Sequence, residues 1–223
     1  MQGLMRKPSF LPVQMRQSKL ESRLDPDVVL HLPFWNMPDG QTYLSQDAYG
    51  HVVTRTGATP TGQGYWGFDA VDDEVSIPHS DSLNIIGSIT LIAWVFPNIT
   101  GDQGILDKDY VNGGYMLWQQ GVTNTFDMFI NGTRTTGPAI VFSTWNHIVG
   151  VADAKSNRVY LNGIEGGSSA SLLPTGNTTQ VLIGKGAGVR LNGRLASITI
   201  VKRGLTDQEI CDDFISTRGQ RGV

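Results

Sequence analysis

Four Asn-Gly dipeptides constrain this chain more than any other feature. Asn112-Gly113, Asn131-Gly132, Asn162-Gly163 and Asn192-Gly193 each border a run of alternating or apolar residues. A two-residue type I′ turn needs positive φ at both central positions, and Asn-Gly meets that need at the lowest steric cost. The pattern predicts antiparallel hairpins. Strands read at 28–32, 88–96, 115–119, 125–130, 145–152, 158–161, 181–183 and 194–202. In the strongest of them Ile89, Leu91, Ala93 and Val95 share one face, and Thr90, Ile92, Trp94 and Phe96 share the other. Both faces are largely apolar, as expected of a strand in the middle of a packed sandwich.

Composition narrows the fold class further. Only four glutamates occur (Glu21, Glu74, Glu165 and Glu209), and charged residues make up 17% of the 223. Helical bundles and coiled coils draw on Glu, Lys, Ala and Leu, so both are excluded. A hydrophobic content of 39% supplies a core and excludes wholesale disorder. One short helix is expected near the C-terminus. Thr206-Asp-Gln-Glu209 is a capping box, Ile210 and Phe214 follow at helical spacing with Cys211 beside them, and Gly219 ends the run. Cys211 is the sole cysteine and has no partner for an internal disulfide. No stretch approaches the roughly 18 apolar residues of a membrane span, and residues 1–10 (MQGLMRKPSF) do not read as a secretory leader.

Charge divides the chain unevenly. Residues 1–27 hold Arg6, Lys7, Arg16, Lys19 and Arg23 against Glu21, Asp25 and Asp27, a net charge of +2. Residues 28–223 carry 12 basic and 17 acidic side chains, a net of −5. With Pro8, Pro12 and Pro26 and no sustained periodicity, residues 1–27 read as an extended basic arm or linker, docked on a neighbouring subunit. Five spaced charges without a stacking set of aromatics do not make a nucleic-acid site.

Six segments in order carry a resemblance. They are Gly67-Phe-Asp-Ala-Val-Asp-Asp-Glu-Val-Ser-Ile-Pro78, Ser88-Ile-Thr-Leu-Ile-Ala-Trp94, Trp145-Asn-His-Ile-Val-Gly-Val151, Arg158-Val-Tyr-Leu-Asn-Gly163, Asn192-Gly-Arg-Leu-Ala-Ser-Ile-Thr-Ile200 and Leu205-Thr-Asp-Gln-Glu-Ile210. Together they resemble the laminin-G-like branch of the concanavalin A-like lectin/glucanase superfamily over about residues 28–215. The resemblance implies an antiparallel jelly-roll sandwich for residues 28–223. It implies little about activity, because this fold hosts lectins, adhesion modules, glycosidases and structural decorations. Two positions depart from the pattern. Ala70 stands where such sequences usually have Gly, which predicts a slightly different turn. Ala196-Ser197 replaces a frequent acidic pair, which removes support from a metal site there.

Several constellations bear on chemistry. Retaining glycosidases need two carboxylates about 5–5.5 Å apart. The four glutamates lie at least 44 residues apart, and Asp107 and Asp109 read as loop residues, so the expectation is a protein without hydrolytic activity. Asp69, Asp72 and Asp73 cluster tightly, and such hard oxygen donors suit a structural calcium ion. The bland alternative is a turn braced by Asp side chains. Asp102, Asp107 and Asp109 form a weaker second group. His31, His51, His79 and His147 lack zinc-ligand spacing, and His147 reads as a packed residue. A sugar's C–H face stacks on an exposed ring flanked by amides or acids. Trp118 with Gln119, and Trp66, are the candidates for that platform, with a core role as the competing reading. Trp94 and Trp145 read as core. Loop 56–65 borders a groove or merely connects, and Gly184-Lys-Gly-Ala-Gly188 reads as a hairpin turn rather than a phosphate loop.

The sequence reading is therefore an all-β jelly-roll with one short C-terminal helix, acting without catalysis as an exterior structural or adhesion module. A capsid decoration or fibre protein of a bacteriophage-type virion fits best, oligomeric in context and anchored on capsid protein through the arm. It would sit on a virion or extracellular surface without a signal peptide. The alternative is a carbohydrate-binding lectin, with or without calcium, taking a surface glycan. A glycoside hydrolase comes third.

Overall fold

A computed structural model describes residues 25–37 and 42–223. Residues 1–24 of the basic arm, with Arg6, Lys7, Arg16, Lys19 and Arg23, lie outside the described residues. In chain order the strands are β1 (Val28–Pro33), β2 (Thr42–Leu44), β3 (Val52–Thr56), β4 (Thr59–Pro60), β5 (Trp66–Asp69), β6 (Glu74–Ile77), β7 (Ile89–Pro97), β8 (Gln103–Lys108), β9 (Tyr115–Gln120), β10 (Thr125–Ile130), β11 (Thr133–Thr135), β12 (Asn146–Ala152), β13 (Ser156–Leu161), β14 (Ile164–Ala170), β15 (Val181–Ile183), β16 (Lys185–Gly186), β17 (Val189–Arg190) and β18 (Asn192–Val201). The helix α1 spans Asp207–Arg218.

Sixteen of these strands form two antiparallel eight-stranded sheets, a jelly-roll sandwich, and β16 and β17 form a separate hairpin. The first sheet runs β14-β13-β12-β7-β18-β5-β4, with β1 also paired to β18. The second runs β11-β10-β9-β8-β15-β6-β3-β2. As the alternation predicts, β7 is central, with β12 on one side and β18 on the other. Ile89, Leu91, Ala93 and Val95 point into the core between the sheets, where they meet Leu117, Phe126, Met128 and Ile130 from the second sheet.

The opposite face of β7 is apolar for a different reason. Ile92 joins Val149, Val151, Tyr160, Val201, Leu205 and Ile210 in a second cluster, on the outer face of the first sheet beneath α1. The capping box starts the helix: Thr206 accepts from the Glu209 nitrogen, and Glu209 accepts from the Thr206 nitrogen. Trp94 shares this face and donates from its indole nitrogen to the Thr217 hydroxyl at 3.0 Å. Ile210 is buried, whereas Phe214 and Cys211 are only partly covered. Gly219 follows the helix with φ −60°, so it ends the helix without the left-handed turn that glycine usually provides there.

The turn chemistry holds at two of the four Asn-Gly pairs. Asn131-Gly132 and Asn162-Gly163 have φ values of 47° and 76°, and 52° and 79°. At Asn112-Gly113 only the glycine is left-handed. Asn192-Gly193 is no turn at all. It begins β18, where Asn192 pairs with Asp69 and Gly193 with Phe68 and Pro97. Ala187-Gly188 takes the hairpin role instead, with φ of 46° and 81° between β16 and β17. Ala70 sits at φ 68°, the left-handed region that glycine enters freely, so the alanine carries the strain of this turn. Asp107 lies in β8 and not in a loop.

Candidate functional site

Strand register fixes which loops share an end of the sandwich. The C-terminal ends of β3, β5 and β7 and the N-terminal ends of β6, β8 and β18 come together, as the pairs Thr56↔Glu74, Asp69↔Asn192 and Gly193↔Pro97 show. There an open cleft of about 440 Å³ is lined by residues that include Thr59, Thr61, Tyr65, Asp69, Asp72, Asp73, Asn98 and Arg194.

The acidic wall is one turn. The Asp69 nitrogen donates to the Asp73 carboxylate at 2.7 Å, and the Val71 nitrogen donates to the Asp69 carboxylate at 2.7 Å. Asp73 is buried while Asp69 and Asp72 are exposed. Burial pushes the Asp73 carboxyl up, the hydrogen bond from Asp69 opposes this, and the Asp69 and Asp72 charges add to the rise. One carboxylate oxygen from each of the three lies within 4.8 Å of the others. The sequence-predicted calcium ligands are thus brought together. They supply three oxygens of the six to eight that calcium takes, and they also brace the turn as Asp side chains do locally. Gly57 closes against them: a Cβ there would stand 2.2 Å from Asp73 Oδ1, and its φ is +71°.

The second group does not assemble. The Asp102 carboxylate accepts from the Gly121 nitrogen, Asp107 accepts from Tyr110 and Ala187, and Asp109 accepts from the Asn112 amide. Each is committed to a different backbone or loop contact.

The predicted sugar platform is overturned by burial. Trp66 is 1% exposed, packed between the Phe34 ring at 4.6 Å and the Tyr43 ring at 5.4 Å. Its strand alternates, so Trp66 and Phe68 face the core together, which the period-2 rule could have told. Trp118 is 6% exposed on the outer face of the second sheet. The β16–β17 hairpin lies over that face, with Gly186 against Met116. Gln119 is fully buried, and its side-chain nitrogen donates to the Ile99 and Gly101 carbonyls. It therefore supports the loop that carries Asn98 instead of touching a ligand. Gln103 works beside it, donating to Ile99 and accepting from the Asn192 nitrogen.

Partly exposed rings lie elsewhere. Tyr65, one residue before the buried Trp66, borders the cleft and meets Trp145 with ring centroids 5.5 Å apart. Trp145 precedes β12 and is half-buried, not core. The Arg194 guanidinium carbon lies 5.1 Å from the Tyr65 ring centroid and 4.6 Å from that of Phe96. The Arg221 guanidinium stands over Trp35 and Trp145 and donates to the Gly64 carbonyl, which ties the C-terminal segment to the Tyr65 loop. The buried histidines are spoken for: His147 Nε2 is 2.9 Å from Asp213, and His31 Nδ1 is 2.9 Å from Thr199 Oγ1.

Residues 69–211, well over half of the chain, match the family model of the concanavalin A-like lectin/glucanase superfamily. The chain belongs to that superfamily. No curated sequence gives a match. Among solved structures it is similar to a Trypanosoma rangeli sialidase in complex with sialic acid (TM-score 0.65, 15% identity, 87% of this chain and 33% of the sialidase). It is also similar to a botulinum neurotoxin type C chain, from a structure concerning cell entry through two ganglioside molecules (0.67, 12%, 85% and 51%). The binding domain of Paraclostridial Mosquitocidal Protein 1 aligns comparably (0.67, 14%, 84% and 52%). The chain spans a third of the sialidase and about half of each toxin chain, and at these identities the likeness is one of fold.

Proposed function

We propose that the chain is a carbohydrate-binding module that takes its glycan in the cleft at the loop end of the sandwich. The observation that carries this reading is the lining of that cleft: a partly exposed tyrosine ring, the Asn98 amide, the Thr59 and Thr61 hydroxyls, carboxylates and a guanidinium around one open depression. Sugars present a C–H face that stacks on a ring, and hydroxyls that pair with amides, acids and arginine. The toxin and sialidase neighbours are glycan-handling proteins by their descriptions, which agrees with this choice. Asp69 and Asp73 serve the turn through backbone hydrogen bonds, which suits binding better than proton transfer.

The test is retention on a glycan panel and affinity electrophoresis with soluble polysaccharides. The expected result is sugar-dependent retention that Tyr65→Ala and Asn98→Ala each weaken about tenfold while the fold survives. No retention on any glycan would sink the reading. An exterior position, on a virion or a cell surface, belongs to the same proposal, with residues 1–27 as the anchor. The basic character of that arm is its support. Deleting residues 1–27 should release the protein from the particle that carries it and leave glycan binding intact.

A further inference from the structure

Like the exposed Arg218 beside Phe214, Arg194 is held by aromatic rings and not by a carboxylate; unlike Arg218, it lines the cleft. Arg134, Arg158, Arg190 and Arg203 each reach a carboxylate, Asp127, Asp153, Glu74 and Glu209 respectively. Among the described residues, Arg194 has no carboxylate within 4 Å and no hydrogen-bond acceptor. Its contacts are the two rings of Tyr65 and Phe96. It is only partly exposed and forms part of the cleft wall. A guanidinium held against two aromatic faces keeps its charge and its planar fork of donors, and the rings restrict its rotation before any ligand arrives.

A neighbouring acid exists and is not used. Asp69 pairs with Asn192 across β5 and β18, and Gly67 pairs with Arg194, so Asp69 and Arg194 are diagonal neighbours on one face. The Asp69 carboxylate turns instead to its own turn, accepting from Val71. The cleft thus has a negative end at the turn and a positive end at Arg194. A ligand bearing one anionic group fits it in one direction.

We propose that Arg194 is the receptor for the carboxylate of an acidic sugar residue, so that the cleft selects acidic over neutral glycans. This rests on the reading of the cleft as a glycan site. The fork of the guanidinium matches a carboxylate in a bidentate, charge-assisted pair. Tyr65 supports the ring of the same or the adjacent sugar, and Asn98, on the neighbouring loop, takes a hydroxyl.

The experiment compares wild-type protein binding to three probes by calorimetry: a hexuronate oligosaccharide, a sialyl oligosaccharide, and the hexuronate after its carboxyls are reduced to alcohols. The expected result is a 10- to 100-fold preference for an acidic form over the reduced form, falling with added salt. The two acidic probes distinguish the source of the carboxylate. Arg194→Met keeps an apolar stem against the rings and should abolish the preference, while Arg194→Lys should keep part of it. Equal binding of acidic and reduced probes overturns this proposal and leaves the glycan site standing. No binding of any probe, acidic or neutral, overturns both. The probe comparison uses wild-type protein, so it stands even if the Arg194 variants fold poorly.

Discussion

Gly104 and Gly186 meet backbone to backbone. A Cβ built on Gly104 would lie 1.9 Å from the Gly186 nitrogen, with no flexible side chain to give way. A Cβ on Gly186 meets Met116 Sδ at 3.1 Å and the Asp107 Cβ and Gly104 Cα at 3.3 Å, contacts that shifts of a few tenths of an ångström relieve. The contact seats the β16–β17 hairpin on the second sheet. The Ala187 nitrogen donating to Asp107, and the Lys185 and Arg190 ion pairs to Glu74, hold it there.

The two glycines should therefore differ as mutants. Gly104→Ala must lift the hairpin and is expected to cost about 3 kcal/mol or more, with Trp118 gaining solvent exposure. Gly186→Ala should cost about 1 kcal/mol. Urea unfolding gives both values, and tryptophan quenching in the native state reports the lifted hairpin. Equal costs would mean that the hairpin is not seated by this contact.

At Ala70 the prediction runs the other way. A left-handed alanine costs roughly 1–2 kcal/mol, and glycine removes that strain while adding freedom to the unfolded chain. Ala70→Gly should raise stability by about 0.5–1 kcal/mol, seen as a higher urea midpoint at unchanged slope.

Lys108 governs the alkaline side of the stability profile. The side chain is buried, its ammonium donating to the Asn177 and Thr179 carbonyls and to the Asn177 side-chain oxygen. Burial lowers its pKa to about 8, with the nearby Asp109 charge opposing the shift. The folded protein releases this proton before the unfolded chain does, so between about pH 8 and 10.5 the unfolded state binds more protons and stability rises with pH. Above pH 10 the sign reverses, because burial raises the pKa of Tyr43, Tyr115 and Tyr160 and the unfolded tyrosines ionise first. Thermal melts from pH 7 to 11 should show a maximum near pH 10. Lys108→Met should flatten the rise between pH 8 and 10, and an unchanged slope would remove Lys108 as its source.

The acidic turn predicts a response to divalent cations. Three carboxylates within 4.8 Å repel one another, and burial already disfavours charge on Asp73. Asp72→Asn should stabilise the calcium-free protein by about 0.5 kcal/mol. Millimolar calcium should raise the Tm of the wild type and leave that of Asp72→Asn nearly unmoved. The same shift in both proteins would place any bound cation elsewhere.

The sandwich was legible because strand alternation is local. Residues 88–96 announced a central strand, and Thr206 with Glu209 announced the helix. Asn192-Gly193 misled because a dipeptide that favours a turn is overruled when two partner strands, β5 and β7, pair around it. The cleft was half legible. Asp69, Asp72 and Asp73 stand within five residues of one another, whereas Tyr65, Asn98 and Arg194 meet only once β5, β18 and β7 pair in the first sheet. Trp66 and Trp118 drew attention as large rings, yet residue type does not say which side of a strand is covered. Beside Trp118, its cross-strand partner Gly104 carries a hairpin that lies about 70 residues further along the chain.

β18 pairs with β1, β5 and β7, so half of the first sheet is built around a strand from the last fifth of the described chain. Earlier strands must wait with unsatisfied edges until it is synthesised and inserted. Such long-range pairing makes for slow folding and a vulnerable nascent chain. Arg194 rides on that strand, so binding competence should be among the last properties the protein acquires as it folds.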